Sequence, residues 1–389
     1  MFRRPFGSER IQRVDQQTGI QVIQLTSYPS PSIHFSYNWP SVTGDGERVM
    51  LLAQRGCSRG APWDIFRCDA DGLNLFQLTE HSPKTRGDTH YGYAAPPSAA
   101  LSLDGSTIYA IWSGEDVLFG VDVESGELIE IADLSTHVSE SANIGGVFPP
   151  EDGDRVYVGV SNYGEGEGGG IRVDLNTGNS ESLSLGGALW GYIQSTDRLV
   201  TMKNFVTLGT KERENGVSGL TNLNDKPMTM YTVREDGTEE NELCPYIFAH
   251  ATVMGKTGFL QGTGQRKNRG VWTVDEDGAQ RLVAQGPYFW HSGASWDGEW
   301  IVSDTNWPDE DLKLIHVPTG HYRTLCHAGA TQDHTQLGHA HPALSCDGSL
   351  AVFASDRTGV PQVYVAHITD DFRESVIEGV LDHPLPKWL

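Results

Sequence analysis

The stretch Asp297-Gly298-Glu299-Trp300-Ile301-Val302, followed downstream by His316-Val317-Pro318-Thr319-Gly320, decides the fold. An Asp-Gly turn feeds a short apolar strand, and a Thr-Gly turn follows the next one. That is the punctuation of an antiparallel meander. The same signal recurs at Asp45-Gly46, Asp104-Gly105, Asp152-Gly153, Thr196-Asp197, Lys256-Thr257-Gly258 and Asp347-Gly348, at spacings of 41 to 59 residues. Short apolar strands follow these turns, among them Val49-Met50-Leu51-Leu52, Ile108-Tyr109-Ala110-Ile111 and Val352-Phe353. A fourth strand closes a typical unit, as in Phe76-Gln77-Leu78-Thr79.

One four-stranded meander cannot bury both faces by itself. Seven of them packed around an axis can, and they leave only short edges. The sequence therefore predicts an all-β, seven-bladed β-propeller as a single domain over 1–389, with blades near 31–80, 88–132, 140–186, 187–243, 246–284, 288–326 and 336–368. The last unit stops after its third strand, Val363-Tyr364-Val365. The early segment Gln21-Val22-Ile23-Gln24-Leu25-Thr26 matches a fourth strand, so residues 20–27 are expected to complete that blade. Two open β-sandwiches are the structural alternative, but they give no reason for the regular spacing.

Composition narrows the partners. The net charge of −23 repels nucleic acid and anionic membranes. No run approaches the roughly 18 apolar residues of a membrane-spanning helix. The N-terminal basic residues lack a following apolar segment, which argues against a secretory signal. The five cysteines are odd in number and form no zinc-type or CxxC pair, so reduced thiols in the cytoplasm are expected. An anionic substrate would need a local reversal of sign, which a bound metal ion can supply.

The histidines share a register. Six residues before the turn of the fifth, sixth and seventh units stand His250, His291 and His341. His339 lies two residues before His341, on the same side if the segment is extended, with His334 and Gln336 just upstream. A lone histidine in such a place is usually a solvated loop residue. Three in one register, one of them in a His-x-His pair, point to a functional site. Imidazoles bind several transition metals, and the harder oxygen of a Gln favours Mn or a similar divalent ion. Trp39, Tyr91, Tyr93, Trp190, Tyr192, Phe289 and Trp290 fall at the same level, either as platforms for sugar rings or as ordinary channel packing. An insertion near 204–226 carries Lys211, Arg213 and Lys226, and reads as a lid or as a surface loop. The Gly-rich run 164–170 is acidic and lies between strands, so it is not a phosphate loop, and no GxSxG motif is present.

The C-terminal unit reads Gln336-Leu337-Gly338-His339-Ala340-His341-Pro342, then Asp347-Gly348-Ser349-Leu350, then Ser355-Asp356-Arg357-Thr358-Gly359-Val360-Pro361. With the register of His250 and His291, this resembles the oligogalacturonate lyase family, whose members are TolB-like propellers. The resemblance implies a divalent metal, Mn2+ in that family, held by His291, Gln336, His339 and His341, with His250 as the general base. The family's arginine in the fourth blade has Thr229 at the matching position. Arg213, Lys226, Arg266 or Arg269 are the candidates to replace it, with Trp190, Trp290 and Tyr91 as sugar platforms. The implied activity is β-elimination on a small acidic oligosaccharide, a 4-linked oligouronide. A metal-dependent sugar-acid epimerase or dehydratase is one alternative. A propeller that binds peptides or proteins without catalysis is the other.

Overall fold

The computed structural model describes residues 3–56, 60–81, 89–90, 93–112, 114–138, 142–162, 168–203, 205–207, 220–222, 229–245, 250–264, 269–307, 309–331 and 336–380. The chain is a seven-bladed β-propeller with a single short helix among the described residues. Blades two to six are each four antiparallel strands drawn from one continuous stretch. Blade six is representative: Phe289–Ala294, Trp300–Thr305, Asp311–His316 and Tyr322–His327. Its turn at Asp297-Gly298 needs a left-handed glycine, and Gly298 has φ 73°.

The seventh blade is closed from the other end of the sequence. Gln21–Gln24 pairs antiparallel with Gln362–His367, with Val22 opposite Ala366 and Ile23 opposite Val365. Ile23 and Leu25 are buried together with Leu51 and Phe66 of the first blade and Val352, Val363 and Val365 of the seventh. Each such side chain contributes about 1.5–3 kcal/mol by burial, and the cluster seals the joint between first and last blades. Two outer strands were not expected. Ile11–Val14 adds a fifth strand to the seventh blade, and Arg4–Gly7 adds one to the first. Both are largely exposed and carry no apolar alternation that would mark them.

The insertion in the fourth blade contributes a two-stranded hairpin, Phe205–Thr207 with Leu220–Asn222. The helix Asp370–Ile377 starts at Thr369, whose hydroxyl accepts from the Phe372 N–H, and buries Phe372 and Val376. No helix among the described residues is long and apolar enough to cross a membrane.

Candidate metal centre

The first strand of blade six sets the site. Its register with the second strand slips between Phe289 and Ser292, so Trp290 and His291 sit in a β-bulge. Bulges re-aim side chains, and this one is fastened on both sides of His291. The His291 N–H donates to Asp304 Oδ1 at 2.6 Å, and the Ser303 hydroxyl donates to the His291 carbonyl at 2.7 Å. The ring follows suit: His291 Nδ1 lies 2.9 Å from Asp304 Oδ2. Asp304 is fully buried and His291 is 1 % exposed. A carboxylate on Nδ1 holds the proton there and leaves Nε2 with its lone pair. His291 Nε2 is buried and has no hydrogen-bond partner among the described residues. A carboxylate that orients an imidazole in this way is the usual outer support of a metal ligand.

His339 and His341 reach the same point by a different route from the extended segment expected. The chain turns at Gln336, whose carbonyl accepts from the His339 N–H at 3.2 Å. Gln336 and His341 both take left-handed backbone, with φ 59° and 45°. The fold nevertheless brings one nitrogen from each of His291, His339 and His341 to within 4.8 Å of one another. The His291 and His341 rings are 4.1 Å apart between centroids. Gly293 makes this approach possible. A Cβ there would lie 2.8 Å from the Pro342 carbonyl oxygen, 3.0 Å from Ala343 Cα and 3.1 Å from the Tyr37 carbonyl oxygen.

His250 stands just before the first strand of blade five, Thr252–Val253. Its ring centroid is 4.3 Å from that of His291, and Trp290 meets it edge-on at 4.8 Å. His250 Nδ1 is 3.2 Å from the Tyr37 hydroxyl, and its Nε2 is shielded with no hydrogen-bond partner among the described residues. Burial is the first cause of the electrostatics. It holds His291 and His341 well below the ordinary histidine range, with the neighbouring histidines adding to the effect. It lowers His250 to about 4, against a small upward pull from Asp304. His250, His291 and His341 are therefore neutral imidazoles beside one buried carboxylate. Neutral imidazole is the form that binds a metal ion, so the donor set fits a divalent transition metal.

No protein-family model matches the chain, and no curated protein matches it in sequence. Solved structures do match it in shape. An oligogalacturonate lyase in complex with manganese superposes with a TM-score of 0.74 at 18% identity, covering 96% of this chain and 99% of that one. An oligogalacturonate lyase from Vibrio parahaemolyticus gives 0.69 at 16% identity, covering 95% and 99%. A puromycin hydrolase gives 0.58 at 14% identity, covering 86% of this chain and 53% of that one. The fold is that of the oligogalacturonate lyases.

Of the residues that the resemblance to oligogalacturonate lyases singled out, His291, His339 and His341 come together, with His250 against them. Gln336 is exposed and shares with His341 and Tyr37 the lining of a cavity of about 200 Å³. Trp290 faces His250, and Tyr288 stacks on Trp290 at 5.6 Å. Arg269 is exposed, with its guanidinium 5.1 Å above the Tyr288 ring. Trp190 instead ties blade four to blade five, its indole N–H donating to the Ala251 carbonyl at 2.9 Å. Two more of the aromatics placed at this level are buried. Tyr192 is buried and bonds Asp197 at 2.7 Å, while Phe289 packs in the core between blades, because neighbours along a strand face opposite ways. Arg213, Lys226, Lys211, Arg266, Tyr91 and His334 lie outside the described residues, as does the side chain of Tyr93. Asp304 and Tyr37 were not foreseen. Asp304 meets His291 through the bulge opposite it, and no local motif announces Tyr37.

Proposed function

We propose that this protein is a metal-dependent lyase that cleaves 4-linked oligouronides by β-elimination. The observation that carries the reading is the convergence of three imidazoles on one point with the His250 ring against them. His291, His339 and His341 would hold the ion, with Gln336 as the fourth ligand once its exposed side chain swings in. Mn2+ fits a mixed nitrogen and oxygen set, and manganese is the ion in one similar lyase structure. A divalent cation bound there would neutralise the uronate carboxylate and stabilise the negative charge that develops beside it.

The residues of the chain supply the rest. His250, neutral near pH 7, takes the C5 proton of the sugar on Nε2. The electron pair left at C5 forms the C4–C5 double bond as the C4–O bond breaks, and the leaving oxygen takes a proton from water. Trp290 walls the base on one side, and Arg269 offers a cation to a neighbouring carboxylate. The substrate is thus a small acidic oligosaccharide, admitted to an acidic protein by local positive charge. Four described cysteines form no disulfide, which fits a reducing compartment such as the cytoplasm.

The first test is metal content, wild type beside His339→Ala/His341→Ala. About one equivalent of a divalent transition metal, lost in the variant, is expected. Oligouronides should then yield ultraviolet absorbance from a 4,5-unsaturated product. Bound metal without unsaturated product would turn the reading toward an epimerase or dehydratase. A protein that takes up no metal would be left as a binding propeller.

A further inference from the structure

In the first blade the chain breaks away from its innermost strand. After Ser32–His34 it makes a tight turn, bridged between Ser36 and Trp39, with Tyr37 at the tip. Two hydrogen bonds pin the turn. The Asn38 N–H donates to the Ser36 hydroxyl at 3.2 Å, and the Trp39 indole N–H donates to the Leu101 carbonyl of the next blade at 2.7 Å. The bare Cα of Gly293 leaves room for the Tyr37 carbonyl. The effect is to plant one phenol ring against three histidines from three other blades. Its centroid is 5.9 Å from His250, 5.2 Å from His291 and 5.7 Å from His341. Of these, His250 is the one it touches through oxygen, at 3.2 Å from Nδ1.

An imidazole has two tautomers, and the group on one nitrogen decides the state of the other. If the Tyr37 hydroxyl donated to Nδ1, the proton would sit on Nε2. A His250 in that state has no lone pair on Nε2 and could not act as the base of the proposed lyase. If Nδ1–H donates to the Tyr37 oxygen, Nε2 carries a bare lone pair, and the phenol O–H is left to the cavity of about 200 Å³ that Tyr37 lines. We infer that Tyr37 is a positioning residue: its oxygen accepts from His250 Nδ1–H and so keeps the Nε2 lone pair directed at the site. This inference rests on the lyase reading, and the tautomer is measured without substrate.

The test uses Tyr37→Phe, which removes one oxygen and keeps the ring. Full-chain protein labelled with 15N at histidine, with Zn2+ added as a diamagnetic probe, reports the tautomer of His250, assigned by its loss in His250→Gln. The wild type should show Nδ1–H, and Tyr37→Phe should shift His250 toward Nε2–H with metal content unchanged. On an oligouronide, kcat of the variant should fall roughly 10- to 100-fold, with KM within about two-fold of the wild type. Nε2–H in the wild type, or the same tautomer in both proteins, overturns the inference. So does a shifted tautomer with kcat unchanged. If the wild type turns over no oligouronide, the lyase reading falls, and the tautomer pair alone decides the role of Tyr37.

Discussion

Asp304→Asn isolates the support of the proposed metal centre. The side chain keeps its shape, and the site is fully buried, so the change is read without new solvent. The bonds to His291 are at stake, 2.6 Å to its N–H and 2.9 Å to Nδ1. The amide oxygen can serve one of them. If it stays on the backbone N–H, the amide NH2 faces Nδ1–H, and two donors meet. The imidazole escapes by moving its proton to Nε2, which covers the lone pair that points into the cluster. Loss of such an outer partner typically weakens metal binding about 10- to 100-fold, or about 1.4–2.7 kcal/mol. The fold itself should lose about 1–3 kcal/mol from one poorly matched buried pair. Competition of Mn2+ or Zn2+ against a chelator gives the affinity, and thermal unfolding of metal-free protein gives the stability. Wild-type affinity in a folded Asp304→Asn protein would refute the argument that Asp304 sets the tautomer of His291.

Two other expectations use different measurements. Gly293→Ala places a methyl 2.8–3.1 Å from atoms of three backbones, one of them in the residue after His341. It should cost about 1–3 kcal/mol of stability in denaturant unfolding and weaken metal binding. An unchanged protein would show that the close approach is not needed. Burial raises the Asp64 carboxyl, from an ordinary 3.8 to about 6, so the folded state holds that proton more tightly than the unfolded chain does. Ionising Asp64 therefore works against the fold, and the penalty grows between pH 3.8 and 6 and is complete above that, at about 3 kcal/mol. Wild type should lose stability relative to Asp64→Asn as pH rises from 4 to 7, and a flat difference would contradict this.

The fold was legible because its turns are chemically marked. Gly46, Gly105, Gly298 and Gly348 all occupy left-handed backbone, as their Asp-Gly pairs imply. The closing strand was legible because Val22, Ile23 and Leu25 carry an apolar signal that nothing in the adjacent sequence would bury. The exposed strands Arg4–Gly7 and Ile11–Val14 carry none. In the site, register located His250, His291 and His341, since repeated blades put equal positions at equal depth. Register could not reveal Asp304, which meets His291 only because the strand slips at a bulge. It could not reveal Tyr37, whose turn departs from the repeat. Nor could it show that His341 adopts φ 45°, which replaces the extended geometry assumed for the His-x-His pair.

The closure of the seventh blade also sets an order of events during synthesis. Val363 donates its N–H to the Thr26 hydroxyl across 337 residues of chain. The strand that finishes the ring is made early and waits for its partner until nearly all the blades have been made. Contacts of such range form late, because the intervening chain must first be gathered in. His339 and His341 ride on the blade sealed in that final step, and His250 and His291 on the two before it. A nascent chain thus acquires its stable blades first and its complete histidine cluster last. Metal uptake at the proposed site would then mark a finished ring, and a chain stalled before Gln362 can fold in part but cannot seal the blade behind its histidines.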